Sequence, residues 1–137
     1  MFIELTEEQR MLQQSIRSFA TDVIRPRAES IDQNSAYPDD IVAQLCELGL
    51  MGVTIPEQWG GSGMDQTSYA VAMEEISAAC ASVGVTMSAH NSLACDPLLR
   101  FGTDEQKERW LKPLAQGKKI GCYALSEPGT GSDAANQ

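Results

Sequence analysis

The sequence predicts a mainly α-helical domain over residues 1–117, followed at 118–137 by the first strand of a β-rich unit. Three observations carry this. Apolar residues recur at helical spacing through the first 116 residues, and two capping boxes, Thr6 with Gln9 and Thr103 with Gln106, mark helix starts. At Gly117 the pattern changes to Lys-Lys-Ile-Gly-Cys-Tyr-Ala-Leu-Ser, a short apolar run bounded by Gly and Pro.

Behind Thr6, the residues Leu12, Ile16, Phe19, Ala20 and Val23 share one face, so a helix is expected from about 7 to 24, ended by Arg25-Pro26. A short helix follows over about 27–33, and Gln33–Ala36 reads as a loop. Pro38 with Asp39 and Asp40 opens the next helix, because proline suits the first position and acids suit the positive helix end. Its inner face is Ile41, Leu45 and Leu48, and Gly49 is its C-terminal stop. The apolar run Leu50–Pro56 should be buried, and Glu57–Gly63 is a glycine-rich loop.

Asp65 caps a helix reaching roughly Ala81, with Tyr69, Ala72, Met73, Ile76 and Cys80 inside. A further helix spans Val83–Cys95 and is broken or restarted by Asp96-Pro97. A segment over Pro97–Arg100 precedes Phe101-Gly102. The helix after Thr103 carries Trp110, Leu111 and Leu114, with Pro113 near its end. A strand is expected from about 119 to 126, and Glu127–Asp133 is a loop. A single strand needs a partner for its peptide groups. With none visible upstream, the chain is expected to be cut just after it enters a second domain.

Composition narrows the function. Ten Lys and Arg against 19 Asp and Glu give a net charge of −9, which disfavours binding to nucleic-acid phosphates. At 42% hydrophobic residues the chain can bury a core, and no apolar run approaches the roughly 18 residues that span a bilayer. The four cysteines form no CxxC pair and His90 is the sole histidine, so no metal site is expected. All four cysteines sit among small or apolar neighbours, as buried reduced thiols do. Met1-Phe2-Ile3-Glu4 has neither a basic nor a long apolar region and reads as no targeting signal. Met51, Met64, Met73 and Met87 read as core filler.

The run Tyr123–Asp133 is the main candidate for chemistry. Gly129 and Gly131 let backbone come close to a ligand, and Ser126 and Ser132 supply oriented hydroxyls. The plainer alternative is a connector whose Asp133 caps a following helix. Gly129–Ala134 matches G-x-G-x-x-A but lacks the βαβ unit and the later acid of a dinucleotide site, and no lysine follows Gly131 as a phosphate loop requires. His90 and Asn91, with Ser88 and Ser92 beside them, are either a ligand contact or an ordinary core-edge group. The adjacent acids Glu74 and Glu75 project about 100° apart on a helix and do not share a site.

Three ordered segments carry a family resemblance: Ile55–Gly63, Phe101–Lys107, and Ala-Leu-Ser-Glu-Pro-Gly-Thr-Gly-Ser-Asp over 124–133. Together they resemble the acyl-CoA dehydrogenase family along the whole chain, and Met87–Gly102 is most similar to short-chain, butyryl-CoA-type members. The resemblance implies the N-terminal helical domain of such an enzyme, here with the first strand of its middle β domain. It implies FAD, an acyl-CoA substrate, α,β-dehydrogenation with hydride transfer to flavin N5, electron-transfer flavoprotein as acceptor and a homotetramer at full length. Carried over by position, Tyr123, Leu125, Ser126, Gly131 and Ser132 contact FAD, and Ser132 also meets the CoA moiety. Ser88, Asn91, Ser92 and Leu93 form a wall of the acyl pocket. The catalytic base belongs to a C-terminal domain outside these residues, so none is assigned here, and the fragment alone is expected to be inactive. The implied location is the bacterial cytoplasm or the mitochondrial matrix. Two alternatives stand beside this one: a flavin oxidase or monooxygenase relative, and a non-catalytic helical interaction module.

Overall fold

A computed structural model describes residues 4–136; Met1–Ile3, read above as part of no targeting signal, lie outside the described residues. The chain is mainly helical, in the order α1 (Glu7–Phe19), α2 (Ala28–Asn34), α3 (Asp39–Glu47), α4 (Gln66–Ala79), α5 (Ala81–Ser88), α6 (Asp96–Phe101), α7 (Asp104–Gln106) and α8 (Lys112–Ala115). Both capping boxes form, and the Asp65 carboxylate accepts from the Ser68 amide at 2.7 Å. Each satisfies amide groups that the first helical turn leaves unpaired.

The proline positions depart from the sequence-based expectation. Arg25-Pro26 does not end the first helix: a π-helical turn at Ala20–Ile24 and a 3-10 turn at Arg25–Arg27 carry it into α2. Asp96-Pro97 likewise does not interrupt the helix, since a π-helical turn at Ala89–Cys95 joins α5 to α6. A third, Lys107–Leu111, joins α7 to α8 ahead of Pro113. In each case the residue before the proline donates five residues back, Arg25 to Ala20, Asp96 to Asn91 and Lys112 to Lys107. Proline lacks an amide donor and its ring collides with the carbonyl four residues back; widening the turn removes that conflict and the helix continues.

Two apolar clusters organise the body. α1 packs on α4 and α4 on α5. Among them Ile16, Ile24, Ile41, Leu45, Met51, Val53, Ile76, Val83 and Met87 build the larger cluster. The smaller one joins Ile55, Cys95, Leu111 and Ala115. Gly84 lies against Ser77, where an added Cβ would meet the serine Oγ at 2.2 Å, so α4 and α5 meet closely because this residue is small. α3 ends at Gly49 (φ +72°), with Gly49 N–H bonded to Cys46 O at 3.0 Å and Leu50 N–H to Leu45 O at 2.9 Å. That is the Schellman arrangement, and it turns the chain into the buried run Leu50–Ile55. Leu48 and Met64, expected inside, are half exposed: Leu48 sits at the helix stop, and Met64 in the loop before Asp65.

The expected strand at 119–126 does not form. Among the described residues the sole bridge is Glu127 with Thr130, and residues 122–129 are exposed. A strand exists only through a neighbour, and no described segment offers an edge to this one.

Candidate functional site

The π-helical turn Ala89–Cys95 places two polar side chains inward. Asn91 is 5% exposed. Its Oδ1 accepts from the Val53 amide at 3.1 Å, and its Nδ2 donates to the carbonyls of Leu50 (2.9 Å) and Met87 (3.0 Å). The side chain thus holds the Leu50–Val53 run against the helix that carries it. An edge of the same amide lines a cavity of about 120 Å³ with Thr54, Gln66, Tyr69, Ser92, Asp96 and Arg100. Arg100 Nε donates to Asp96 Oδ2 at 2.7 Å across one end of it.

His90 is completely buried. Its Nε2 lies 3.1 Å from Leu114 O and its Nδ1 accepts from the Gly121 amide at 2.9 Å. A carbonyl can only accept and an amide only donate, so the ring is neutral with its proton on Nε2. Burial pushes its pKa below the ordinary 6.5, against the opposite pull of the Leu114 and Met51 carbonyls. The unfolded chain therefore binds a proton that the folded chain refuses. The associated stability is complete above pH 6.5 and is lost as pH falls from there toward the depressed value. In urea titrations between pH 7.5 and 5, the unfolding free energy should decline with acid in the wild type and stay flatter in His90→Gln; parallel curves would refute this. The carboxylates held low by partners, Asp65 through Ser68 and Glu75 through Arg17, titrate below this range.

The remaining wall residues face outward. Ser88 is half-buried, and Ser92 is exposed with its hydroxyl donating to Ser88 O at 2.7 Å. Leu93 is 46% exposed.

Beyond Gly121 the chain leaves the helical body. Tyr123, Leu125, Ser126 and Ser132 are exposed. Glu127 and Thr130 exchange backbone bonds of 2.8 and 3.2 Å around Pro128-Gly129, and the fold-back brings Gly131 to Ser126. A Cβ at Gly131 would lie 3.4 Å from Ser126 Oγ, whereas one at Gly129 would meet nothing within 4 Å. The Thr130 hydroxyl donates to Asp133 O at 2.6 Å, and Asp133 Oδ2 accepts from Asn136 Nδ2 at 2.6 Å. Exposed hydroxyls, an open glycine and peptide groups outside any ladder fit the polar edge of a flavin ring, which needs donors and acceptors close to the backbone.

Cys122 lies in this exposed stretch, against the expectation of four buried thiols; Cys95 is buried and its pKa is pushed up to about 12. Thiolate availability governs alkylation. Brief iodoacetamide treatment of the native chain should label Cys122 first and leave Cys95 unmodified, read by peptide mass spectrometry; labelling of Cys95 at a comparable rate would contradict the packing around it.

The link from His90 to Gly121 has no local signature, because its partners lie 31 residues apart. The same holds for Asn91 and Val53, 38 apart.

Among known proteins, the profile of the acyl-CoA dehydrogenase N-terminal domain matches residues 6–118. The mitochondrial short-chain specific acyl-CoA dehydrogenase of Bos taurus is 50% identical over 132 residues, 96% of this chain and 32% of that protein. Butyryl-CoA dehydrogenase from Megasphaera elsdenii superposes with a TM-score of 0.90 at 36% identity, covering 100% of this chain and 37% of that one. An acyl-CoA dehydrogenase complexed with FAD from Bacillus anthracis superposes with a TM-score of 0.87 at 34% identity, covering 98% of this chain and 23% of that one. The chain thus spans about a third of the length of the curated relatives it matches.

Proposed function

From the premise that this chain belongs to the acyl-CoA dehydrogenase family through its N-terminal domain, we propose that it serves an FAD-dependent dehydrogenase of short-chain acyl-CoA thioesters. In this reading residues 6–117 supply one wall of the acyl pocket, and 118–137 open the β domain that carries the flavin. The observation that carries it is the placement of two features side by side. The outward edge Ser88, Ser92 and Leu93 lies on the same helix as Ala94 and His90, against which Gly121 packs. The exposed, glycine-bearing segment with Ser126 and Ser132 starts at that contact.

Each residue has a distinct task in this assignment. The Ser126 hydroxyl and the peptide groups at Leu125 address the polar edge of the ring, where negative charge develops on reduction and a fixed donor stabilises it. Tyr123 and Gly131 complete the contact, the glycine by letting its backbone come close. Ser132 meets both the flavin and the CoA portion of the substrate. Leu93 offers an apolar face to the acyl chain. Asn91 stands behind that wall, holding the Leu50–Val53 run in place. Bound FAD supplies the two-electron acceptor for the hydride that leaves the β carbon. The base that removes the α proton lies outside these residues, electron-transfer flavoprotein takes the electrons onward, and the 137-residue chain alone does not turn over.

The test is to express the encoding frame to its stop codon and record the visible spectrum. A yellow product that bleaches on adding butyryl-CoA is expected. A colourless product, or a yellow one that butyryl-CoA leaves unchanged, would refute the assignment. Turnover by the isolated chain would refute the claim that it is inactive.

A further inference from the structure

We propose that His90 is a positioning residue for the flavin-facing segment: it ties the chain at Gly121 to the helical body and so fixes where residues 122–132 begin their course. This rests on the flavin reading above and adds a residue to which that reading gave no part.

The geometry is specific. After α8 the chain reverses at Gly117 (φ +67°), with Gly117 N–H bonded to Leu114 O at 2.8 Å and Lys118 N–H to Pro113 O at 2.9 Å. The ring of His90 spans the two ends of this reversal, with Nε2–H on Leu114 O and Nδ1 receiving Gly121 N–H. Gly121 meets the helix at close quarters, since an added Cβ there would lie 2.4 Å from the Ala94 Cβ. The exposed stretch begins at the next residue. The anchor therefore sits two residues before Tyr123, the first of the proposed flavin contacts.

An imidazole suits the task because it offers one donor and one acceptor on a rigid ring. Both nitrogens are engaged by backbone, so neither is left to act as a base on a substrate. Holding a contact segment within a fraction of an ångström is what ligand binding requires of the groups behind it, and residues in that position act on affinity without touching the ligand.

Two substitutions separate the two bonds. In His90→Asn the side-chain oxygen can take the place of Nδ1 and receive Gly121 N–H. In His90→Gln the amide can take the place of Nε2 and donate to Leu114, leaving Gly121 without its acceptor. In the 137-residue chain, amide exchange by NMR should speed up at Gly121 by about tenfold or more in His90→Gln, the loss of about 1.4 kcal/mol of protection. In His90→Asn it should stay within about threefold of wild type. Equal protection of Gly121 in all three would overturn the anchor. If either variant fails to fold, the wild type decides: a scalar coupling across the Gly121 N–H to Nδ1 hydrogen bond is expected, and a protonated Nδ1 would overturn it.

The consequence for the flavin is read in the frame expressed to its stop codon. FAD should dissociate about tenfold more readily from His90→Gln than from His90→Asn, measured by flavin fluorescence on dilution. Yellow variants with equal FAD affinity would overturn the positioning role while leaving the flavin reading intact. A colourless wild type would overturn the flavin reading and the positioning role with it, and the exchange rates at Gly121 would still decide the anchor.

Discussion

Asn91→Leu should lower the stability of this chain by about 3 kcal/mol, the sum of stranding a buried amide at Val53 and a buried carbonyl at Leu50. Leucine nearly matches asparagine in shape, so the cost is one of unmade hydrogen bonds rather than of a cavity. For a domain of this size that corresponds to a thermal midpoint lower by about 10 °C, read by circular dichroism at 222 nm. Ser92→Ala next to it is the control: its exposed hydroxyl bonds only to Ser88 O in its own helix, and its midpoint should move by no more than about 2 °C. A midpoint for Asn91→Leu as close to wild type as that control would mean the Leu50–Val53 run is held by packing alone.

Gly61→Ala should be comparably damaging for a different reason. The new methyl would lie 2.2 Å from Ile55 O and 2.5 Å from Ile55 Cβ. Neither can yield cheaply. Ile55 is fully buried and its carbonyl accepts from Gly63 N–H at 2.9 Å, while Gly52 O and Val53 O accept from Ser62 and Met64 at 2.8 Å each. Separating the strands of this loop would break those bonds, so the cost is overpacking against backbone, about 3 kcal/mol. Gly129→Ala provides the contrast, since its methyl would point into open space and should change stability by less than about 0.5 kcal/mol. Denaturant titration of both variants tests the pair; equal midpoints would show that the loop relaxes around the methyl.

These two positions also show what could be read from the sequence. The capping residues Thr6, Asp65 and Thr103 and the stop at Gly49 were legible because each acts on residues within five positions of itself. The buried run at 50–56 was legible from its apolar character. Asn91 was nominated for a ligand wall, yet its backbone partners Leu50 and Val53 lie 41 and 38 residues away, so nothing near it in sequence announces them. His90 has the same difficulty, with Leu114 and Gly121 24 and 31 residues off. The strand at 119–126 failed in the opposite sense. Its composition is that of a strand, but strand formation depends on an edge that no described residue supplies. The prolines misled because their usual effect on a helix assumes the ordinary spacing of turns; Pro26, Pro97 and Pro113 each follow a widened turn.

The widened turn at Ala89–Cys95 has a consequence for how this helix tolerates change in length. Upstream of it, Val83 and Met87 face the larger apolar cluster; at its end, Cys95 faces the smaller one, with Leu98 and Leu99 packed against it from α6. Each residue of an ordinary helix advances the face by about 100°. Losing a single residue from 92–94 would let the backbone close into regular turns, and every bond in the helix could still be made. The half beyond it would nevertheless be swung round by about a quarter turn relative to the half before it. Cys95 and its neighbours would then point away from Ile55 and Leu111, and Pro97 would regain its collision. The turn thus works as a phase setting between the two ends of one rod, and a deletion invisible to helix content would separate the clusters it keeps in step.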